Sequence, residues 1–332
     1  MPLSWRDSVG SIVSGGYIPL TEEGCTRLGM QSLPTKRHPM KVIVPNEETR
    51  IQRHDELRCQ IIATPIAGKP FVKVSPEFAI AGPELLFIDA VATMPLPRAL
   101  LFGMEICGTY TLRQSFPSAE RPVYQIEPAT SVAKIAEVIE LCRGSRIRGI
   151  DAARDALPFL MDNAASPMES VLALMLRLPL SRGGIGMGSP QLNPQVPVNE
   201  ELRKFTSAEL FHPDIYFKDY AIDLEYESEE FHPDLGDWDA LDADSREAIA
   251  NKAKEDKQRM RIIQSLGIRV FQVTYDDFKS DQALDLLIEQ LLLYNTSLSA
   301  KGRRRRLKKL SEVKAVLARS NLLTALRDNR EP

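Results

Sequence analysis

The sequence predicts an α/β protein in which helices cover a sheet, preceded by a smaller α+β domain. The main observation is the order of elements in the second half of the chain: helix, strand, strand, helix, strand and helix. That order is typical of a sheet with helices packed on it. A second observation is the length of 332 residues, which suggests roughly two domains. We predict an α+β domain over 1–160, an α/β domain over 161–300 and a basic C-terminal helix over 301–332.

The first half contains short strands and helices, predicted from apolar spacing and from proline. The apolar segment Leu85–Ile106 predicts a helix that is interrupted at Pro95 and Pro97. Short strands with alternating apolar residues are predicted over Lys41–Val44, Cys59–Thr64 and Pro70–Val74. Further helices are predicted over Ser131–Cys142, which is amphipathic, and over Ile150–Met161.

The second half begins with a well-marked helix start. Ser166 stands at the N-cap, Pro167 at the first helical position and Glu169 at the third, which together form a capping box. The helix is predicted to stop at Pro179. The glycine-rich and proline-rich segment Ser181–Pro197 is predicted to be a loop. It lacks the GxxxxGK[ST] motif, so the sequence does not predict a nucleotide-binding loop there.

The remaining elements follow from periodicity and from stop signals. They are two short strands within Pro213–His232, a long helix over Ser245–Ser265, a strand over Ile268–Thr274, and helices over Gln282–Tyr294 and Leu307–Leu326.

Composition excludes several classes of protein. The four cysteines are widely spaced with no CxxC pair, which argues against a zinc site and a disulfide framework and fits a reducing cytoplasm. The N-terminus shows no basic start followed by an apolar run, so no signal peptide is expected. The most apolar segment, Leu85–Gly108, is interrupted by charged residues and prolines, so no membrane span is expected.

Charge is segregated along the chain although the net charge is only −3. The segment Asp223–Glu247 holds 11 acidic residues and one basic residue, and Lys301–Arg319 holds nine basic residues and one acidic residue. An acidic pocket beside a basic patch suits a metal-dependent nuclease, because one holds the ion and the other the phosphates. Solvated surface is the alternative explanation for both segments.

Acidic residues alternate along the second predicted strand of Pro213–His232. Asp223, Glu225 and Glu227 are two residues apart and therefore share one face. Like charges side by side repel, and a fold tolerates them most easily when a cation lies among them. Asp214 lies one strand earlier. The segment is therefore a candidate Mg²⁺ site, in which Mn²⁺ is the alternative ion, and such a site suggests phosphodiester chemistry.

These residues resemble the PD-(D/E)XK nuclease superfamily, in its very-short-patch-repair-like branch. Pro213-Asp214 matches the opening acid, and Glu225-Tyr226-Glu227-Ser228 with His232 corresponds to the branch's E-x-D-G element and its following histidine. Lys257–Thr274 resembles the branch's arginine-bearing helix, glycine turn and strand. The resemblance covers roughly 165–280 and implies a restriction-endonuclease-like mixed sheet flanked by helices. Ser228 replaces a glycine, and Glu227 stands where the superfamily usually has lysine.

The resemblance implies roles for particular residues. Asp214 and Glu225 are the expected metal ligands, and Glu227, His232 and Glu169 complete the expected catalytic set, with His232 as general base or leaving-group contact. Capping explains Glu169 equally well, and Asp223 is open as either a solvent-facing strand residue or a weaker ligand candidate. Lys257, Arg259 or Arg261 is expected to contact phosphate or to reach in for the missing lysine. The predicted nucleic-acid contacts are Arg259, Arg261, Arg303, Arg304, Arg305 and Arg306.

The function expected from the resemblance is a cytoplasmic Mg²⁺-dependent DNA endonuclease in mobile-element defence or repair. The segment Gly82–Tyr110 is similar to abortive-infection antitoxin regulators, which implies a regulatory or target-recognition domain over 1–160. The alternative function is therefore a non-cleaving DNA-binding regulator of the antitoxin type, with a vestigial nuclease fold. A domain that only mediates protein contacts is a third interpretation. Carboxylates of Asp214 and Glu225 within one Mg²⁺ coordination sphere, roughly 4 to 5 Å apart, favour the enzyme. If Glu225 points outward or pairs with an arginine, the enzyme interpretation is expected to fail.

Overall fold

Helices and short strands alternate through both halves of the chain. The computed structural model describes residues 33–37, 39–44, 47–48, 55–61, 70–73, 79–112, 114–115, 118–119, 122–144, 147–227, 251, 254, 257–278 and 280–327. The chain divides into two compact units, Met1–Leu160 and Met161–Pro332. Both units mix helices with small sheets, so the protein is of the mixed α/β class.

The strands of the first unit form small two-stranded sheets. The pairs are β1 (Met40–Val44) with β2 (Leu57–Ile61) in parallel, and, antiparallel, β3 (Phe71–Lys73) with β4 (Ala79–Ala81), β5 (Tyr110–Thr111) with β8 (Val123–Tyr124), and β6 (Gln114–Ser115) with β7 (Ser118–Ala119). The three strands predicted before residue 75 are present, with shifted ends. The five described strands of this unit from Ala79 onward were not predicted, because segments of two or three residues carry too little alternation to be recognised.

Proline positions divide the first helical segment. Helix α1 (Pro83–Thr93) is followed by α2 (Leu96–Ile106), with Pro95 at the N-cap of the second helix. The predicted interruption is therefore confirmed. Proline lacks the N–H that an uninterrupted helix would use, and it also disfavours helical geometry in the residue before it.

Two more helices complete the first unit. Helix α3 (Val132–Leu141) is capped by Ser131, whose Oγ accepts a hydrogen bond from the N–H of Lys134 at 3.3 Å. Helix α4 (Ile150–Ala156) is shorter than predicted, because residues Leu157–Phe159 tighten into a 3₁₀ turn. Pro158 supplies no N–H to continue the α-helical ladder.

A four-stranded mixed sheet organises the second unit. Its strands are β9 (Gln191–Leu192), β12 (Ile215–Phe217), β13 (Ile222–Glu227) and β14 (Arg269–Thr274), in the order β14-β13-β12-β9. The pair β13–β14 is parallel and the other two pairs are antiparallel. A separate antiparallel pair joins β10 (Val196–Pro197) to β11 (Leu210–Phe211). The predicted loop Ser181–Pro197 therefore contains a strand and part of a second pair.

Helices of the second unit largely follow the predicted boundaries. They are α5 (Pro167–Arg177), α6 (helical residues 257–265), α7 (Asp281–Tyr294), α8 (Ala300–Leu310) and α9 (Val313–Arg327). Part of the predicted helix Ser245–Ser265 lies outside the described residues. The single helix predicted over Leu307–Leu326 is wrong. One helix ends at Leu310 and a new one starts after Glu312, whose carbonyl accepts from the N–H of Ala315 at 2.8 Å.

Helix α6 covers one face of the sheet. Its residues Ile262 and Ile263 are buried in a cluster with Val198, Phe211 and Ile268. Tyr216 of β12 and Val270 of β14 pack against the same cluster. The register pairs both of these strand residues with Asp223 of β13, so α6 lies over the face that carries the alternating carboxylates.

Replacing Gly103 with alanine is expected to destabilise the first unit by about 1–3 kcal/mol, although alanine is the better helix former. The added methyl carbon would lie 2.5 Å from a side-chain carbon of Leu160 and 2.8 Å from the ring of Phe87. Both neighbours are buried. Urea unfolding followed by circular dichroism measures the change. In the control Gly302→Ala, on α8, the new methyl comes no nearer than 3.4 Å to another atom. An equal response of the two variants would contradict the tight packing at Gly103.

Candidate active site

Strand register brings Asp214 and Glu225 together. The antiparallel pairing of β12 and β13 sets Ile215 opposite Leu224, so continuing it by one residue places Asp214 opposite Glu225. Directly opposed residues share a face, with Cβ atoms about 5 Å apart. Oδ2 of Asp214 accepts a hydrogen bond from the backbone N–H of Tyr226 at 2.9 Å. This bond ties the start of one strand to the end of the other and fixes the Asp214 carboxyl beside Glu225.

Asp223 is the most deeply buried acid of the group, with 0% of its surface exposed. Within the described ranges, no N–H group or hydroxyl donates a hydrogen bond to either of its carboxyl oxygens. The alternative that Asp223 is a solvent-facing strand residue is therefore wrong. Helix α6 covers the face of the sheet on which Asp223 and its strand neighbour Tyr216 lie. A buried polar group without a partner costs about 1–3 kcal/mol. Such a group in a native fold calls for an explanation, one of which is an ion.

A network centred on Asn193 positions Glu169. Oε2 of Glu169 accepts from the backbone N–H of Ala165 at 2.9 Å and from Nδ2 of Asn193 at 2.8 Å. The backbone N–H of Asn193 donates to the carbonyl oxygen of Asp214 at 3.1 Å. Ser166 caps α5 through the N–H of Glu169 at 3.1 Å, as predicted. The glutamate accepts from the N–H of Ala165 in place of the Ser166 N–H that a capping box would use. Its second bond, to Asn193, links it toward Asp214.

Arg259 is the counter-ion of this carboxyl cluster, defined as Glu169, Asp214, Asp223 and Glu225. Its guanidinium forms a bidentate pair with Glu225, through Nη1 to Oε2 and through Nη2 to Oε1, the latter at 2.9 Å. Nη2 also donates to the carbonyl oxygen of His212 at 2.8 Å. Of the three basic residues proposed to reach in from the helix, Arg259 contacts the cluster, while Lys257 and Arg261 are exposed.

Burial and mutual repulsion raise the pKa values of three acids in the carboxyl cluster. Burial, followed by the negative charges of Glu225 and Glu169, raises the pKa of Asp214 to about 8. Burial, with the charge and hydrogen bonding of Glu225, raises the pKa of Asp223 to about 10. Burial also raises the pKa of Glu169. The pKa of Arg259 is raised, since its bond to Glu225 and the surrounding carboxylates outweigh its burial. One guanidinium therefore does not compensate the acids around it.

Metal geometry is incomplete in this conformation. Across the part of the chain that the structure describes, no three His, Cys, Asp or Glu side chains are arranged to hold a metal ion. Glu225 is paired with Arg259, which is the outcome on which the enzyme interpretation was expected to fail as long as this pair persists. The carboxylate of Glu225 nevertheless lies close enough to Asp214 and Asp223 to raise the pKa of both. A divalent ion therefore requires the arginine to leave Glu225.

The other predicted residues are distributed differently. Glu227 is on the same strand face, and its Oε1 accepts from Nε2 of Gln272 on β14. Predicted general base His232 lies outside the described residues. In the basic run, Arg303 donates to the carbonyl oxygen of Leu293 at 2.7 Å. Arg306 donates to those of Ile185 and Gly186, whereas Arg304 and Arg305 are exposed. Two of the four nucleic-acid contacts predicted in this run thus bind the protein's own backbone.

Two functional candidates were missed or underrated from the sequence. Asn193 carries no motif, and its role depends on contacts with residues more than twenty positions away. Arg259 did leave a signal. It stands three and four residues before Ile262 and Ile263, so the three share one helix face, and that face is the buried one.

Comparison with known proteins adds no relative. No family model, curated protein or solved structure matches this chain. Among the helices of the described ranges, none is long and apolar enough to cross a membrane.

Replacing Asp223 with asparagine is expected to stabilise the protein at neutral and alkaline pH. The ordinary pKa of aspartate is about 4, so between pH 4 and about 10 the folded state holds a proton on Asp223 that the unfolded state has released. Stability therefore falls as pH rises through this range, by up to about 1.4 kcal/mol per pH unit. The variant removes this part of the slope, and the gain in melting temperature grows from pH 5 to pH 9. The exposed neighbour Asp219→Asn is the control, and identical pH slopes for all three proteins would refute the assignment.

Replacing Arg259 with methionine is expected to cost about 3 kcal/mol of unfolding free energy, because Glu225 is left buried without its counter-ion. Urea unfolding at pH 7 measures the loss. The double variant Arg259→Met, Glu225→Gln should lose less than the sum of the single changes. The control Arg261→Met makes the same substitution at an exposed arginine of the same helix. Its expected loss of unfolding free energy is about 0.5 kcal/mol or less. Additive losses in the double variant would contradict the pairing.

Proposed function

We propose that the second unit is a Mg²⁺-dependent DNA endonuclease of the restriction-endonuclease-like kind, acting in mobile-element defence or repair. The single observation that carries the proposal is Asp223, a fully buried carboxyl that receives no hydrogen bond from an N–H group or hydroxyl of the described residues and whose neighbours are further carboxyls, among them Glu225. A structural core gains nothing from such a group. A site that binds a cation does gain from it, because the ion gives Asp223 a positively charged partner and removes the repulsion between the carboxylates.

The arrangement of elements supports the proposal. Helix α5 precedes the antiparallel strands β9, β12 and β13, and α6 then leads to β14, which runs parallel to β13. This is a mixed sheet flanked by helices, as the resemblance to the nuclease superfamily implies. The two predicted metal ligands, Asp214 and Glu225, meet on one face of that sheet, and Asp223 joins them.

The residues present fit a hard divalent cation. Asp214, Asp223 and Glu225 would hold it through carboxylate oxygens, which Mg²⁺ and Mn²⁺ both accept. When bound, the ion supplies Lewis-acid polarisation of a phosphate and a more acidic water. The raised pKa values of Asp214 and Asp223 mean that binding releases protons, so binding strengthens as pH rises.

The protein's own residues then have distinct tasks. Glu169 and Asn193 hold the Asp214 segment in place through the network at α5. Arg259, once released from Glu225, is the residue that would contact the reacting phosphate. It takes the place of the lysine that the superfamily usually has where Glu227 stands here, since a guanidinium binds phosphate oxygens in two-pronged fashion. The Arg259–Glu225 pair thus keeps the acidic strand folded until metal and substrate arrive.

A DNA-binding regulator that does not cleave is the second candidate. It is favoured by the same bidentate pair, because an arginine that permanently occupies Glu225 leaves no place for a metal ion. The similarity of Gly82–Tyr110 to antitoxin regulators also supports it. Under this proposal the carboxyl cluster and Arg259 are a structural remnant, and the exposed basic residues of α8 contact phosphate without metal.

The endonuclease proposal predicts nicking of supercoiled plasmid in the presence of Mg²⁺ or Mn²⁺, measured by gel electrophoresis. Asp214→Asn and Glu225→Gln are expected to lower the rate by at least about a hundredfold, because each removes a carboxylate that would hold the ion. These substitutions keep side-chain size, and the exposed Asp219→Asn, close by in sequence, is the matched control.

Equal rates for the wild type and all variants would reject the catalytic role of Asp214 and Glu225. Absence of nicking by every protein, with a gel shift that persists in a metal chelator, would favour the regulator. In that case the double variant Arg304→Gln, Arg305→Gln should weaken the shift and reduce its dependence on salt.

A further inference from the structure

A cavity of about 340 Å³ lies beside helix α8 in the second unit, and no residue of the carboxyl cluster lines it. Three of its lining side chains are cationic, namely Arg305, Arg306 and Lys309, and none of its lining residues is acidic. The volume is at the lower end of the range of small-molecule sites, about 300–1,000 Å³. The cavity therefore combines a pocket of small-molecule size with a concentration of positive charge.

The positive charge is not compensated inside the described part of the protein, where none of these three side chains forms an ion pair. Arg305 and Lys309 stand one helical turn apart and are exposed, so like charges face the same side of α8 and repel. Arg306 donates from Nη2 to the carbonyl oxygens of Ile185 and Gly186, the second at 2.7 Å. Carbonyl oxygens fix its position but leave its full charge. An anion between these groups would relieve the repulsion.

The glycine-rich loop before β9 is shaped to hold Arg306. Gly186 has a φ of +66°, which favours glycine, and a Cβ there would lie 2.4 Å from Nη2 of Arg306. Tyr220 secures the next residue of the loop, because its hydroxyl donates to the carbonyl oxygen of Met187 at 2.8 Å. The loop has no P-loop motif, and its carbonyl oxygens accept hydrogen bonds from Arg306. The cationic side chains of the cavity come from helix α8. The cavity is built by these fixed contacts and is not a gap between loose side chains.

The opposite walls suit a flat ring. Met187, Leu292 and Leu298 contribute apolar surface, and Tyr220 is a further lining residue. Its ring stacks on Phe217 at 5.9 Å between centroids and 21° between planes, which holds it rigid. Aromatic and apolar walls beside a cationic end match a base attached to a phosphate.

We propose that this cavity binds the phosphate of a mononucleotide-sized ligand, either a free nucleotide or the 5′-phosphorylated end of a DNA strand. Arg305 and Lys309 contact the phosphate together with the anchored Arg306, and the base lies against Tyr220. The proposal does not depend on the metal-site proposal, because its residues are different and its test measures binding without metal.

Calorimetric titration of the full chain with deoxyadenosine monophosphate, in a metal chelator, tests the cavity. The wild type should bind saturably, and Arg305→Gln, Lys309→Gln should weaken binding by at least about tenfold, since two charge-assisted contacts are lost. The matched control Arg203→Gln, Lys204→Gln removes the same charge from exposed positions of the second unit that do not line the cavity, and its affinity should stay within about twofold. Gly186→Ala, with unchanged circular dichroism, should also lose binding, because the new methyl displaces Arg306.

The source of the phosphate is decided by ten-nucleotide single strands with and without a 5′-phosphate. Tighter binding of the phosphorylated strand than of the nucleotide identifies a strand end, and the reverse order identifies a free nucleotide. Either result supports the cavity if the double variant Arg305→Gln, Lys309→Gln alone is impaired. No binding of any of these probes, or equal loss in both double variants, overturns the proposal. Equal affinity for the two strands also overturns it, because a general basic surface would then suffice.

Discussion

The bidentate pair between Arg259 and Glu225 is the interaction on which the arrangement of the second unit's polar face depends. It joins helix α6 to strand β13 and brings the guanidinium among buried carboxyls. Without that charge, burial and mutual repulsion would act on Asp214, Asp223 and Glu225 together. The backbone contacts of Asp214 with Tyr226, and of Arg259 with His212, keep the strands and the helix in the register that this balance requires.

The same pair separates the two proposed functions. A guanidinium that yields to a divalent ion leaves a metal site with an arginine ready for phosphate, whereas a guanidinium that never yields leaves a neutralised structural remnant. Buried ion pairs are costly to assemble and contribute little net stability. The buried carboxyl of Asp223, to which no N–H group or hydroxyl of the described residues donates, adds to that cost. A fold that keeps both features gains more from a function for them than from stability alone.

Positive charge is handled differently in the same unit. In the basic run, Arg303 and Arg306 donate to main-chain carbonyls, whereas Arg304 and Arg305 are exposed. The α8 cavity arises because one of these anchored side chains lies next to two unanchored ones. The two clusters therefore differ in how their charge is compensated. Arg259 is an internal counter-ion for the carboxyl cluster, whereas Arg306 beside the cavity donates to neutral carbonyl oxygens.

The sequence by itself determined where elements begin and end when a single residue has a strong local effect. Pro95 divided two helices and Ser166 capped α5, because missing N–H groups and side-chain caps act within one turn. Alternation also identified the acidic strand face. Tertiary structure alone decided which acids meet, since Asp214, Glu169 and Arg259 are brought together by strand register and helix docking over 45 to 90 residues of chain. It also decided that Asp223 is buried and that Arg306 is anchored, because burial and long-range hydrogen bonds depend on neighbours that local periodicity does not reveal.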